Sequence, residues 1–185
     1  MIDYKSLEEH IKNYFDASLD IDRCTYIIAI NKDKAALESL KSHFLNLETF
    51  VLQGKARQVS FKFKEEEKLS AIYKEGNKKL QQGGKEYEKI LDKGILGSYL
   101  EQTFTEKKNL IVLLEADFLD MPVSDRWSYF PRDLTNIDKI CKDNNLLLLF
   151  LSTDDDRTSL GCCGGADLTN IFSAQVYVDI LFNKK

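Results

Sequence analysis

The chain has 185 residues, of which 43% are hydrophobic and 30% are charged, and its net charge is −4. This length suits one domain with a single core, and the composition is that of a soluble globular protein. The negative charge argues against a strong nucleic-acid binder acting alone. The longest apolar run, residues 146–151, is too short to cross a bilayer, and the first ten residues lack the pattern of a secretory signal.

The first half of the chain begins with a helical pattern. Ser6 with Glu9 three residues later is a capping box, which predicts an N-terminal helical segment in residues 1–22. Residues 24–30 form an apolar run of strand length, and residues 34–45 carry apolar side chains at helical spacing. We therefore expect a buried strand that leads directly into a helix.

A second strand and a helical region follow. Residues 57–64 alternate between apolar and polar side chains, which predicts a half-buried strand. Residues 65–105 are charged and largely helical in pattern. Gly83 and Gly84 interrupt that pattern, and we expect them to end one helix and start a loop.

The last third contains three strand-like runs. Residues 109–117, "NLIVLLEAD", and 145–153, "NLLLLFLST", are continuously apolar before they become polar. Residues 132–144 lie between them and have apolar side chains at helical spacing, and residues 174–182 are again strand-like. The order of these elements predicts strands that are covered by helices on both faces.

This alternation predicts an α/β fold in which a mostly parallel sheet lies between two helical layers. Ligands in such folds bind beyond the carboxyl ends of the strands. The residues at those ends are Asn31, Glu115 with Asp117, and Thr153. We expect these residues to surround any binding site.

The run that ends at Glu115 has the form of a Walker B strand. Such a strand is apolar because it is central, and its terminal carboxylate reaches a magnesium ion through water. Asp117 and Asp120 follow Glu115. The pattern by itself is weak evidence, since many buried strands end at an acidic residue.

The turn after the first strand lacks a phosphate-binding loop. A working P-loop has glycines that let backbone N–H groups surround the phosphates, a lysine, and a hydroxyl residue for the metal. Here the turn is Asn31-Lys32-Asp33, followed by Lys34 and Ala35. Lys34 stands near the position of the loop lysine, but a glycine-free turn of three residues cannot enclose a triphosphate. We therefore expect no ATP hydrolysis.

An aromatic group precedes the helix at residues 132–144. Trp127, Tyr129 and Phe130 lie between Pro122 and Pro131, in a segment that the prolines predict to be a loop. Exposed aromatic residues often anchor protein partners. The group is therefore a candidate partner-binding surface, or else it covers the edge of the core.

Cysteine and histidine patterns indicate no metal centre. The four cysteines form neither a disulfide framework nor a C-x-x-C motif, and the two histidines lie in helical patterns. The acidic run of residues 154–156 can be interpreted as a metal or polar sensor site or as an acidic loop. We predict no resident metal and a reducing compartment.

Over residues 24–182 the order of these parts resembles the ATPase core of the RecA superfamily, which includes eukaryotic recombinases, their paralogues and DnaB-type helicases. In this resemblance Glu115 stands at the Walker B position and Thr153 near the phosphate-sensing position. Residues 154–166, which include Gly164 and Gly165, match the DNA-facing loop, although the loop is acidic here.

The resemblance implies one RecA-like domain over residues 1–185, truncated at its C-terminal end, with an α/β core at residues 23–185. It is most similar to an accessory recombinase paralogue with a degenerate Walker A motif. Such a subunit would be a pseudo-ATPase without a catalytic residue or a cofactor of its own. Lys34, Glu115, Asp117 and Thr153 would then be vestigial nucleotide-site positions.

The same resemblance implies partners and a location. The chain would pair with an ATP-competent paralogue that binds the nucleotide, and together they would assist recombinase filaments in homologous recombination repair. Single-stranded DNA would be contacted only through the complex, and no membrane would be involved. The expected location is the nucleus, with the cytoplasm as the alternative.

Two other classes of function stay open. One is a metal-dependent phosphotransfer or hydrolytic α/β enzyme that uses Glu115, Asp117 and the carboxylates at residues 154–156. The other is a small α/β protein-interaction module. The alternation of helices and strands supports the fold alone, so it does not separate these possibilities.

Overall fold

The computed structural model describes residues 25–31, 34–45, 50–53, 58–65, 68–104, 110–153 and 176–178. Within these ranges it contains six strands, four α-helices and two short helical turns. The strands are β1 (Tyr26–Asn31), β2 (Phe50–Gln53), β3 (Gln58–Glu65), β4 (Leu110–Glu115), β5 (Leu146–Thr153) and β6 (Val176–Val178). The helices are α1 (Lys34–Leu45), α2 (Leu69–Gln82), α3 (Lys85–Thr103) and α4 (Phe130–Asn144), and the turns are Phe118–Asp120 and Asp125–Tyr129.

The strands form one sheet in the order β2-β3-β4-β5-β1-β6. Every neighbouring pair is parallel except β2 and β3, which are antiparallel. The predicted α/β class is confirmed. The central strands β4 and β5 are almost continuously buried, which explains why their sequences are apolar throughout rather than alternating.

Helices lie on both faces of this sheet. Val112 and Leu114 of β4, together with Leu148 and Phe150 of β5, belong to a core cluster with apolar side chains of α2, α3 and α4. Alternate residues point to the opposite face. There α1 contacts β1, β3 and β5, and its Leu37 lies beside Leu113 and Leu151.

Several boundaries agree with the sequence and others differ. The helix at residues 34–45 is present as predicted. Strand β2, which the sequence patterns did not indicate, pairs with β3 at the edge of the sheet. Gly83 and Gly84 do separate two helices, but the connection is these two residues alone and not a longer loop.

The loop prediction for the second proline was wrong. Pro131 lies in the first turn of α4, where its fixed φ suits the helix. Residues 125–129 before it form a wide helical turn rather than an irregular connection. None of the described helices is long and apolar enough to span a membrane.

Some predicted features fall outside the described residues. These are the helical segment at residues 1–22, the acidic run at residues 154–156 and the loop at residues 154–166 that contains it. Of the predicted strand at residues 174–182, the described part is β6.

Candidate functional site

A cavity of about 210 Å³ opens at the carboxyl ends of β4 and β5. We call it the carboxyl-edge cavity. Its lining residues are Lys34, Leu37, Glu38, Lys41, Lys68, Leu113, Glu115, Asp117, Leu119, Asp120, Leu151 and Thr153. All four of the predicted nucleotide-site positions, Lys34, Glu115, Asp117 and Thr153, are among them.

The sheet order explains why these residues meet. Glu115 at the end of β4 pairs in register with Leu151 of β5, and Thr153 at the end of β5 pairs with Asn31 of β1. Lys34 begins α1 three residues after Asn31. Three neighbouring strand ends therefore bring residues that are far apart in sequence to one edge of the sheet.

Glu115 is already paired inside the chain. Its Oε1 lies 3.5 Å from Nζ of Lys68, the residue that precedes α2. Both side chains are partly exposed, so the pair contributes about 0–1 kcal/mol to stability. Its larger consequence is positional, because it places a cation beside the carboxylate that the Walker B interpretation assigns to a metal.

Asp117 is used as a cap for helix α2. Its Oδ1 accepts a hydrogen bond from the backbone N–H of Ser70 at 2.9 Å, and its Oδ2 accepts one from the Ser70 hydroxyl. Lys68, at the N-cap position, makes no capping bond with its own side chain. A carboxylate from 47 residues away therefore satisfies an N–H group of the first helical turn.

Burial also changes the acidity of Asp117. Removal from water raises the pKa of this carboxyl above its ordinary value, and the neighbouring charge of Glu115 raises it further, while the two bonds from Ser70 oppose the shift. The carboxyl is only 6% exposed. Its position favours a structural role over that of a freely solvated metal ligand.

The cavity mixes charges of both signs with an apolar surface. Three lysines and four carboxylate residues line it, together with four leucines. Lys34 itself is exposed and makes no ion pair with the described residues. Since the lysines do not outnumber the carboxylates, the lining offers no strong net attraction for a triphosphate.

The aromatic group divides into core and surface. Phe130 is fully buried and packs edge-on against Phe150, with ring centroids 5.9 Å apart, so it belongs to the core and is not available to a partner. Trp127 is 42% exposed. Tyr129 is half-buried and carries the guanidinium of Arg132 over its ring at 5.1 Å.

The sequence patterns did not indicate the residues that bind the carboxylates of Glu115 and Asp117. Lys68 and Ser70 lie at the start of α2, in a segment that had been classified only as charged and helical. A helix that begins without its own capping side chain was the one available signal, because its N–H groups then need an acceptor from elsewhere. The pairing of these N–H groups with Asp117 could not be identified without the fold.

Among the described residues, no group of three or more His, Cys, Asp or Glu side chains is arranged to hold a metal ion. A scan against protein-family models finds no match, and a search of curated proteins finds none either.

Proposed function

We propose that this chain is a non-catalytic subunit with a RecA-like core, which pairs with an ATP-competent recombinase paralogue. One observation carries the proposal. The positions that would serve a nucleotide line one cavity, yet Lys68 pairs with Glu115 and Ser70 binds Asp117. The architecture of a nucleotide site is kept while its acidic groups serve the chain itself.

The sheet order supports the same interpretation. In the RecA resemblance, an acidic strand and a strand with a polar end must both lie near the first strand and its helix. Here β5, which ends at Thr153, lies between β4 and β1. Glu115, Thr153 and Lys34 consequently line one cavity, an arrangement that is compatible with the resemblance, although function drawn from a fold is an analogy.

The absence of a phosphate loop from the sequence makes hydrolysis by this chain unfavourable. Catalysis of phosphoryl transfer depends on positioning the phosphates and stabilising their charge. The sequence Asn31-Lys32-Asp33 has no glycine and includes an acidic residue. ATP would be bound by the partner, and this chain would supply a neighbouring surface.

The proposed role is assistance of recombinase filaments in homologous recombination repair, in the nucleus. The chain would reach single-stranded DNA only within the complex, since its own net charge is −4. Three exposed apolar residues, Leu119, Val123 and Trp127, lie within nine positions of one another. They are the candidate contact surface for the paralogue.

Two measurements on the purified chain test the absence of activity. Phosphate release from ATP with Mg²⁺ should equal the rate without protein, and a fluorescent ATP analogue should show no saturable binding. Hydrolysis that disappears in both Lys34→Ala and Glu115→Gln would overturn the proposal. A calorimetric titration with Mg²⁺ or Mn²⁺ that shows binding lost in Glu115→Gln would favour the metal-dependent enzyme instead.

Co-expression with ATP-competent recombinase paralogues tests the partnership. A stable one-to-one complex in light scattering is expected, with affinity for a labelled single-stranded oligonucleotide that the free chain lacks. Trp127→Ala and Leu119→Ser should weaken the complex. Leu91→Ala is the matched control, because Leu91 is 60% exposed on α3, outside the segment that holds Leu119 and Trp127. Complex formation with none of the paralogues would favour the general protein-interaction module.

A further inference from the structure

Helix α3 is broken in its middle. Gly94 has φ 79° and ψ 170°, a conformation that is essentially restricted to glycine. The break divides the helix into a first half, residues 85–93, and a second half, residues 95–103. Ile90 is the buried residue of the first half, whereas the second half buries Ile95, Leu96 and Leu100. The first half therefore buries fewer apolar residues, and the Lys93–Glu101 ion pair and the hydrogen bond from Gln102 to Glu86 join it to the second half.

The carboxylate of Asp133, from helix α4, lies at this break. Its Oδ2 accepts a hydrogen bond from the backbone N–H of Leu96 at 3.1 Å and another from the Tyr73 hydroxyl at 2.7 Å. Leu96 is in the first turn after the break, so Asp133 caps the second half of α3. A side chain at position 94 would overlap this carboxylate, which shows how closely the Asp133 side chain approaches the backbone of α3.

The other oxygen of Asp133 has no hydrogen-bond partner. Oδ1 is buried and unsatisfied, and the nearest cation, Nε of Arg132, lies 4.0 Å away on a side chain that is 54% exposed. An ionised carboxylate with one unsatisfied oxygen is costly in a buried site, and a proton on that oxygen removes the cost. When the carboxyl is ionised, water can solvate Oδ1 only if the contacts around the break open.

We propose that Asp133 is a proton-controlled latch, which holds the start of the second half of α3 against α2 and α4 when its carboxyl is neutral and loosens it when it is ionised. Three elements meet at the latch: Tyr73 from α2, the Leu96 amide from α3, and Asp133 with Arg132 from α4. Opening would free the Leu96 amide and the start of the second half of α3 from Asp133.

The direction of the effect follows from the environment. Burial raises the pKa of Asp133 above its ordinary value, while the hydrogen bond from Tyr73, the backbone N–H groups of Leu96 and Ile95, and the charge of Arg132 oppose the shift. The open state, in water, has an ordinary pKa of about 3.9. Opening should therefore increase by up to about tenfold per pH unit from about pH 4 up to the raised pKa, and should then level off.

Hydrogen exchange of the Leu96 amide measures the opening. After correction for intrinsic exchange rates, its protection should fall with pH over that window. Asp133→Asn should remove the pH dependence. Tyr73→Phe should extend it to higher pH, because the Tyr73 bond lowers the pKa of Asp133. A variant that changed only the global stability of the chain would leave the pH dependence of Leu96 protection unchanged.

Two controls separate the latch from other events. Asp125→Asn replaces another buried carboxylate, bonded to Asn77 at 2.9 Å, and should leave the Leu96 profile unchanged. The Leu148 amide, which bonds to the Thr25 carbonyl at 2.9 Å, reports global unfolding. The proposal is overturned if Leu96 protection is independent of pH, if it always equals that of Leu148, or if Asp133→Asn retains the wild-type profile. Should Asp133→Asn not fold, the wild-type and Tyr73→Phe profiles decide.

Discussion

Asp117 holds the start of helix α2 through Ser70, whose backbone N–H donates to the carboxylate at 2.9 Å. The bond connects the strand end at β4 with the helix that follows β3, so it also fixes one wall of the carboxyl-edge cavity. The same geometry that shapes the candidate site thus contributes to the stability of the fold.

Removal of this cap should destabilise the chain. Asp117→Ala takes away the acceptor of two bonds, and loss of a capping side chain costs about 0.5–2 kcal/mol. Urea unfolding followed by circular dichroism measures the change in free energy. Asp120→Ala is the matched control, because Asp120 lines the same cavity but is exposed, and its effect should stay within about 0.5 kcal/mol. Equal effects of the two variants would contradict the capping role.

Stability should be greater at mildly acidic pH than at neutral pH. Burial raises the pKa of Asp117, Asp125 and Asp133 in the folded chain. A raised pKa means that the folded state binds protons more tightly, so stability is lost as pH rises from about 3.9 through the folded values. Glu86 acts in the opposite sense, since a hydrogen bond from Lys89 lowers its pKa.

The urea midpoint at about pH 4.5, just above the ordinary pKa of about 3.9, should accordingly exceed that at pH 7.5. Asp125→Asn should reduce the difference, because it removes one of the three contributing groups while keeping an acceptor for Asn77. Equal urea midpoints of the wild-type chain at the two pH values would show that ionisation of these carboxyls does not reduce the free energy of unfolding.

Two glycines with similar backbone angles should respond differently to alanine. Gly83 and Gly94 have φ of 71° and 79°, so either substitution strains the backbone by about 1–3 kcal/mol. At Gly83 the added methyl meets nothing within 4 Å, whereas at Gly94 it overlaps the Asp133 carboxylate. Gly94→Ala should therefore cost about 1–3 kcal/mol more than Gly83→Ala. Thermal unfolding compares the two, and equal losses would mean that the close approach is readily relieved.

Alanine substitutions of Trp127, just before α4, and of Phe130, its first residue, should also differ in their cost to stability. Phe130→Ala leaves a void among Tyr73, Phe118 and Phe150 and should cost about 3–5 kcal/mol. Trp127→Ala should cost less than about 1 kcal/mol because Trp127 is 42% exposed. Chemical unfolding of the free chain measures both. A large loss at Trp127 would make it a core residue and weaken its candidacy as a partner contact.

The sequence by itself determined the main elements and the edge of the sheet where the site lies. Continuous apolar runs identified β4 and β5, because a strand that is buried on both faces has apolar side chains throughout. Helical spacing identified α1, because a helix that is buried on one face has apolar side chains once per turn. The strand ends then indicated Glu115, Asp117 and Thr153, since parallel strands bring their carboxyl ends together. These are consequences of local pattern.

Only the tertiary structure decided what those residues contact. Ser70 and Asp117 are 47 positions apart, and Tyr73 and Asp133 are 60 apart. Their bonds depend on how α2 and α4 pack over the sheet, which no periodicity records. The burial of Phe130 and the break at Gly94 depend on the same packing. Local sequence sets which residues can form a strand or a helix, whereas the partner of each polar side chain is chosen by contacts between distant segments.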